Sequence, residues 1–125
     1  MFADTNAFSS FAVDDLDAAR AFYEKTLGLR VSVDEEQGGL LTLHQAGGKD
    51  TIIYFKPDFV PATYTILNFS VADIDVAVDE LIARGVLIER YPGFDHDEKG
   101  IVRDKPSIAW FRDPAGNILA VLTEM

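Results

Sequence analysis

Two histidines, His44 and His96, are the only imidazoles in the sequence, and there is no cysteine. Without a thiol, disulfide frameworks, thiolate zinc sites, iron–sulfur clusters and thiol nucleophiles are excluded together. The side chains left for metal or acid–base chemistry are chiefly the imidazoles and the 21 Asp plus Glu residues. The two types meet in one run, Asp95-His96-Asp97-Glu98. It lacks the alternate-residue Asp/Asn series, central Gly and distal Glu of a calcium loop. A charge run of this kind reads first as solvated. His96 and Glu98, with Asp95 and Lys99 beside them, are still the best acid–base candidates. His44 ends an alternating segment, where a solvated or hydrogen-bonded imidazole is the ordinary outcome. A nucleophile motif and a Gly-rich phosphate loop are both missing.

Charge narrows the partners. Lys plus Arg number 11 against those 21 acids, a net charge of -10. Such a surface repels phosphate backbones and anionic lipid, so neither a nucleic acid nor a membrane is expected as partner. At 48% hydrophobic and 26% charged the chain is ordinary globular material. No stretch approaches the ~20 apolar residues of a membrane span, and the start lacks a basic-then-apolar leader pattern. A cytoplasmic location is the expectation.

The elements that position these residues come in two copies. Phe8–Thr26 superimposes on Ile66–Arg84, with Phe11 on Phe69, Val13 on Val71, Asp15 on Asp73, Asp17 on Asp75 and Ala19 on Ala77. In each copy an alternating strand precedes an Asp suited to cap a helix. Leu16, Ala19, Phe22, Tyr23 and Leu27 then form one helical stripe, and Ile74, Ala77, Val78, Leu81 and Ile82 the other. Gly28 and Gly85 suit the left-handed position after each helix.

Three strands should follow each helix: Leu29–Asp34, Leu40–His44 and Thr51–Lys56, then Val86–Tyr91, Ser107–Asp113 and Asn117–Thr123. Gly38-Gly39 and Gly47-Gly48 separate the first three, and Asp113-Pro-Ala-Gly-Asn117 is a hairpin turn. Pro57 and Pro61 mark a linker over 56–64. At 125 residues there is room for one domain, made of modules 1–58 and 62–125. The expected class is α+β, with two βαβββ modules.

The run Asp15–Leu29 resembles the first helix of the glyoxalase/bleomycin resistance/dioxygenase superfamily, the vicinal oxygen chelate proteins, and Trp110–Leu119 resembles its final hairpin. The resemblance implies curved mixed sheets enclosing a cleft, commonly in a homodimer. It also implies where metal-dependent members keep His, Gln or Glu ligands. Here those positions carry Phe8, Ile66, Ala120 and, by a looser alignment, Tyr54. The first three cannot bind a metal through their side chains and a phenol is an uncommon ligand, so neither a catalytic metal nor another cofactor is expected.

Strand parity predicts the lining of the cleft. Phe11, Val13, Ile53, Phe55, Leu67, Phe69, Val71, Ala109, Phe111, Leu119 and Val121 should face the helices. Phe8, Ser10, Ile52, Tyr54, Lys56, Ile66, Asn68, Ser70, Ile108, Trp110, Arg112, Ile118, Ala120 and Leu122 should face the other way. From that mixed surface Phe8, Ser10, Tyr54, Asn68, Trp110 and Arg112 are the expected contacts to a small ligand: rings to stack, hydroxyl and amide groups to hydrogen-bond, a guanidinium for an anion. Residues 94–106 form a connection long enough to act as a lid. The sequence thus favours a metal-free binder of a small, partly apolar molecule. The alternative is a lyase, isomerase or dioxygenase-type enzyme using displaced metal ligands or His96 and Glu98. A short chain gains core area by sharing an interface, so sedimentation at micromolar concentration should return twice the 13.8 kDa chain mass.

Overall fold

Asp15 and Asp73 begin the two helices as hydrogen-bond acceptors. In the computed structural model, which describes residues 1–36 and 39–123, both have extended backbones. Asp15 accepts from Ala18 N at 3.0 Å and Asp73 from Val76 N at 3.2 Å. Each carboxylate thereby satisfies a first-turn N–H that the helix itself leaves free. Helix α1 spans Leu16–Ala21 and runs on as a π-helical turn over Phe22–Thr26, closed by Leu27 N donating to Phe22 O at 2.9 Å. Helix α2 spans Ile74–Ala83. It stops at Gly85, whose φ of +84° lets Val86 N donate back to Leu81 O at 3.0 Å.

The chain divides into two compact units, Met1–Phe59 and Val60–Met125. In the first, strands β1 (Ser9–Val13), β2 (Arg30–Asp34), β3 (Leu40–Gln45) and β4 (Lys49–Phe55) form a sheet ordered β1-β4-β3-β2. β1 and β4 are parallel; the other pairs are antiparallel. Gly38, read from the sequence as part of the β2–β3 turn, lies outside the described residues. Phe11 meets Tyr23 with ring centroids 5.9 Å apart, which places the helical segment over the Phe11 face. Val13, Tyr23, Leu43 and Ile53 are fully buried. Phe55, expected on that face, is half exposed because it ends its strand.

In the second unit β5 (Thr65–Val71), β6 (Ile108–Arg112) and β7 (Ile118–Thr123) are ordered β5-β7-β6, with β5 and β7 parallel. The expected α+β class with two mixed sheets is present. The fourth strand of this unit, expected at Val86–Tyr91, is not. Glu89 alone bridges to Trp110, its N–H donating to the Trp110 carbonyl at 2.8 Å. Two residues on, Tyr91 N donates to His96 Nε2 at 3.0 Å, so a side chain takes the bond that would have extended the ladder. The rest of the β6 edge is taken by Val102, whose N–H and C=O both pair with Ile108.

A second departure lies in β5. Thr65 is opposite Ile118 but Leu67 is opposite Leu119, so β5 holds one extra residue and the sheet bulges there. The bulge puts Thr65, rather than Ile66, in register with Asn68 and Ser70. Trp110 Nε1 donates to Thr65 Oγ1 at 3.1 Å, which fixes the face they share.

The β6–β7 turn is held by Asp113, nearly fully buried. Its carboxylate accepts from Ala115 N at 3.0 Å, Asn117 N at 2.9 Å and Asn117 Nδ2 at 3.0 Å. Truncation would strand several donors, so Asp113→Ala should cost about 2–3 kcal/mol in urea unfolding. Asp113→Asn, which keeps one acceptor oxygen, should lose less.

Candidate functional site

Trp110 gathers an aromatic cluster on its face of the second sheet. Tyr91 approaches edge-on with centroids 5.5 Å apart, Phe94 lies at 5.0 Å and His96 at 6.2 Å. Pro92-Gly93 turns the chain so that Tyr91 and Phe94 both reach the indole. Ala120 is the cross-strand partner beneath Trp110, and Asn68 is the next strand's residue in the same row. Phe94 and Asn68 are exposed; Trp110 is half-buried. Among the described residues the Tyr91 hydroxyl is a buried side-chain oxygen with no hydrogen-bond partner.

The sequence candidates are distributed unevenly around this cluster. Trp110 and Asn68 belong to it. Arg112 lies one row away, and its Nε donates to Glu89 Oε1 at 2.7 Å. Ser10 and Tyr54 share a face of the first sheet through the pairs Ser10–Ile52 and Ala12–Tyr54. Phe8 precedes β1 and is largely exposed. Parity reasoning missed Thr65, because a bulge leaves no mark in the sequence. It also missed Tyr91, placed in a strand, although Pro92-Gly93 marked the turn.

The stretch 94–106 carries its own architecture. His96 Nε2 accepts from Tyr91 N, so Nδ1 bears the proton and donates to the Gly100 carbonyl at 2.7 Å. Both imidazole nitrogens are thus engaged with backbone. Glu98 sits at the exposed tip, its carbonyl accepting from Arg90 Nη2 at 2.9 Å. Asp97 accepts from Lys99 N, Ile101 N and Arg103 Nε at 2.9, 2.8 and 3.0 Å. Gly100 (φ +94°) packs so closely that a Cβ would lie 2.5 Å from Ile88 Cγ2. Outward, Arg103 grips Asp75 of α2 through Nη1 at 2.9 Å and Nη2 at 2.6 Å, while Lys99 reaches Asp75 and Asp79.

The Arg103 hydrogen bonds hold the Asp75 carboxyl well below its ordinary range, and Asp75 in turn raises Arg103. Burial pushes Asp97 up, but hydrogen bonds from Ile101 N, Arg103 and Lys99 N outweigh it and leave the group lowered. Asp79 raises Lys99.

In the first unit His44 lies between Ser32 and Asp50. Its Nε2 is 2.6 Å from Ser32 Oγ and its Nδ1 is 3.1 Å from Asp50 Oδ1.

The donor set does not suit the metal that the family resemblance implies for metal-dependent members. Phe8, Ile66 and Ala120 offer only carbon, and no three His, Asp or Glu side chains converge among the described residues. No helix is long and apolar enough to cross a membrane.

Two mixed sheets, each with parallel first and last strands joined through a helix, define a class of paired-module α+β proteins. Residues 7–121 match the Glyoxalase/Bleomycin resistance protein/Dioxygenase superfamily, and the chain belongs to that family. No curated protein matches the chain. Among solved structures it is similar to a protein from Bacillus anthracis assigned to the glyoxalase family, at 21% identity and TM-score 0.73 over 100% of both chains. It is also similar to a glyoxalase/dioxygenase from Nostoc punctiforme, at 17% identity and TM-score 0.71, covering 99% of this chain and 94% of that one. A glyoxalase family protein from Enterococcus faecalis shares 20% identity at TM-score 0.67, covering 98% and 99%. At these identities the likeness establishes the fold.

Both lowered carboxylates are less protonated in the folded chain than in the unfolded one. Their stabilisation is therefore present above the ordinary carboxylate range, about pH 4, and lost as pH falls through their lowered values. Melting temperature should fall on acidification in that window, and less so in Asp75→Asn. At neutral pH the same variant should speed amide exchange at Ile101.

Proposed function

We propose that this protein binds a small, partly apolar molecule against the Trp110 face of its second sheet, without a metal. The observation that carries this reading is the Tyr91 hydroxyl, buried within an aromatic cluster and lacking a partner. A hydroxyl left so costs ~1–3 kcal/mol, which a ligand donor or acceptor would recover where movement of the surrounding side chains admits it. Around it stand ring surfaces suited to a planar or aliphatic body. The half-exposed ring of Phe94 gains ~25 cal/mol for each Å² of apolar area a ligand covers. Asn68, in the Trp110 row, and Ser70, one row along the same face, are the polar anchors of this reading.

Two details shape the ligand. The indole N–H already donates to Thr65, so Trp110 offers its ring rather than its donor. Arg112 is paired with Glu89, so an anionic group gains from it only by exchanging one carboxylate for another. The enzymatic alternative through His96 and Glu98 would require the imidazole to release Tyr91 N or the Gly100 carbonyl before it could move a proton.

The single Trp makes the reading measurable. Titration with a panel of small planar and aliphatic compounds should quench or shift its emission for the compounds that bind. Calorimetry with those compounds should show Trp110→Ala weakening affinity about tenfold or more, as loss of a large apolar contact implies. Tyr91→Phe should weaken by about five- to tenfold only those ligands that carry a hydrogen-bonding group. Affinities indifferent to both substitutions, or a tightly bound stoichiometric transition metal in protein purified without chelator, would overturn the proposal.

A further inference from the structure

The face of the first sheet that carries Ser10 and Tyr54 also brings together polar residues from three strands. His44 and Asp50 are opposite one another on β3 and β4, and Arg30 is opposite His44 on β2. Ser32, two residues along β2 from Arg30, is the diagonal neighbour of His44, a spacing that cross-strand side chains can bridge. The result is a chain of contacts, Ser32 Oγ to His44 Nε2 at 2.6 Å and His44 Nδ1 to Asp50 Oδ1 at 3.1 Å. An ionised carboxylate can only accept, so Nδ1 carries the imidazole proton. In the neutral imidazole Nε2 is then the acceptor, and the Ser32 hydroxyl donates to it.

That order of donors is the one that activates a serine: base against the hydroxyl, carboxylate fixing the base's tautomer. We infer that Ser32, His44 and Asp50 form a relay that makes Ser32 an acyl-accepting nucleophile toward small carboxylic esters. Ser32 is exposed and the His44 side chain retains 30% of its accessibility, so a substrate carbonyl can reach both. As Oγ bonds to the ester carbonyl carbon, its proton passes to His44 Nε2. The ester C–O bond then breaks, and the leaving alcohol takes that proton. Water, giving its proton to the same nitrogen, hydrolyses the acyl-serine and returns the free hydroxyl. Thr42, the cross-strand partner of Ser32, and Arg30 share the face and are the groups placed to meet the developing oxyanion. Asp50 acts through His44 and is a positioning residue. The inference rests on the first unit alone and is independent of ligand binding at Trp110.

The test uses the full chain and p-nitrophenyl acetate. Expected are an initial burst of p-nitrophenolate and one acetyl group mapped by mass spectrometry to Ser32. Ser32→Ala should abolish both. His44→Gln, which keeps an amide to hydrogen-bond Ser32 but no base of comparable strength, should slow acetylation about a hundredfold or more. The wild-type rate should fall on acidification, because a protonated imidazole cannot take the Ser32 proton, and Asp50→Asn should lower the rate and alter that profile. Acetylation confined to lysines, no acetylation at all, or Ser32 acetylation insensitive to His44→Gln and to pH would each overturn the proposal. The mapping on wild-type protein decides the matter even if a variant is poorly folded.

Discussion

β1 and β5 each pair in parallel with the last strand of their own unit, and much else in the unit follows from that pairing. Parallel neighbours cannot be joined by a tight hairpin, so the chain between them must cross over and return, and α1 or α2 supplies the crossover. The closing strand is then enclosed. β7, with a partner on either side, has every residue from Ile118 to Leu122 buried. Asp15 and Asp73 matter for the same reason: a helix starting one residue early or late would misplace the stripe that covers the sheet, and the caps fix the starting point.

The two units then diverge at the edge opposite the crossover. In the first, β2 completes an antiparallel ladder with β3 over five residue pairs. In the second that place is shared by single residues, Glu89 and Val102, each pairing one residue of β6. Chain freed from the ladder becomes available for other contacts. It folds into the turn around Asp97, which is tied to α2 by Arg103 and Lys99 and carries His96 and Phe94 to the indole. What the sequence offered as a lid is, in its hydrogen bonding, a small hairpin anchored at both its base and its side.

Where sequence reasoning succeeded and where it failed follows from the range of the forces involved. The helices were legible because capping and 3.6-residue periodicity act within a few residues, and the hairpin at Asp113–Asn117 for a similar reason. Val86–Tyr91 misled because its opening, Val86-Leu87-Ile88, is rich in the apolar and β-branched residues that strands favour, while the bond that removes Tyr91 from the ladder comes from His96, a residue assigned to another role. Thr65 and Ile66 exchanged places through a bulge that only pairing with β7 reveals. Ser32, His44 and Asp50 were invisible as a set, since their meeting depends on the registers of two successive hairpins. A shift of one residue in either would send one of them to the other face.

The resemblance implies metal ligands where this chain has Phe8, Ile66 and Ala120, and that difference bears on the recognition proposed for the scaffold. A metal fixes a ligand by a few strong directional bonds. Apolar contact scales with area and is indifferent to orientation, so discrimination in the proposed site would come from the polar groups beside the rings. The second sheet supplies few of these. Trp110 Nε1 is committed to Thr65, Arg112 to Glu89 and His96 to backbone at both nitrogens. The Tyr91 hydroxyl is the buried exception among the described residues. A ligand site at this face, as proposed, would select for shape and for a single hydrogen-bonding group. Such a site would tolerate a range of related molecules, with its fine selectivity left to the exposed Asn68 and Ser70.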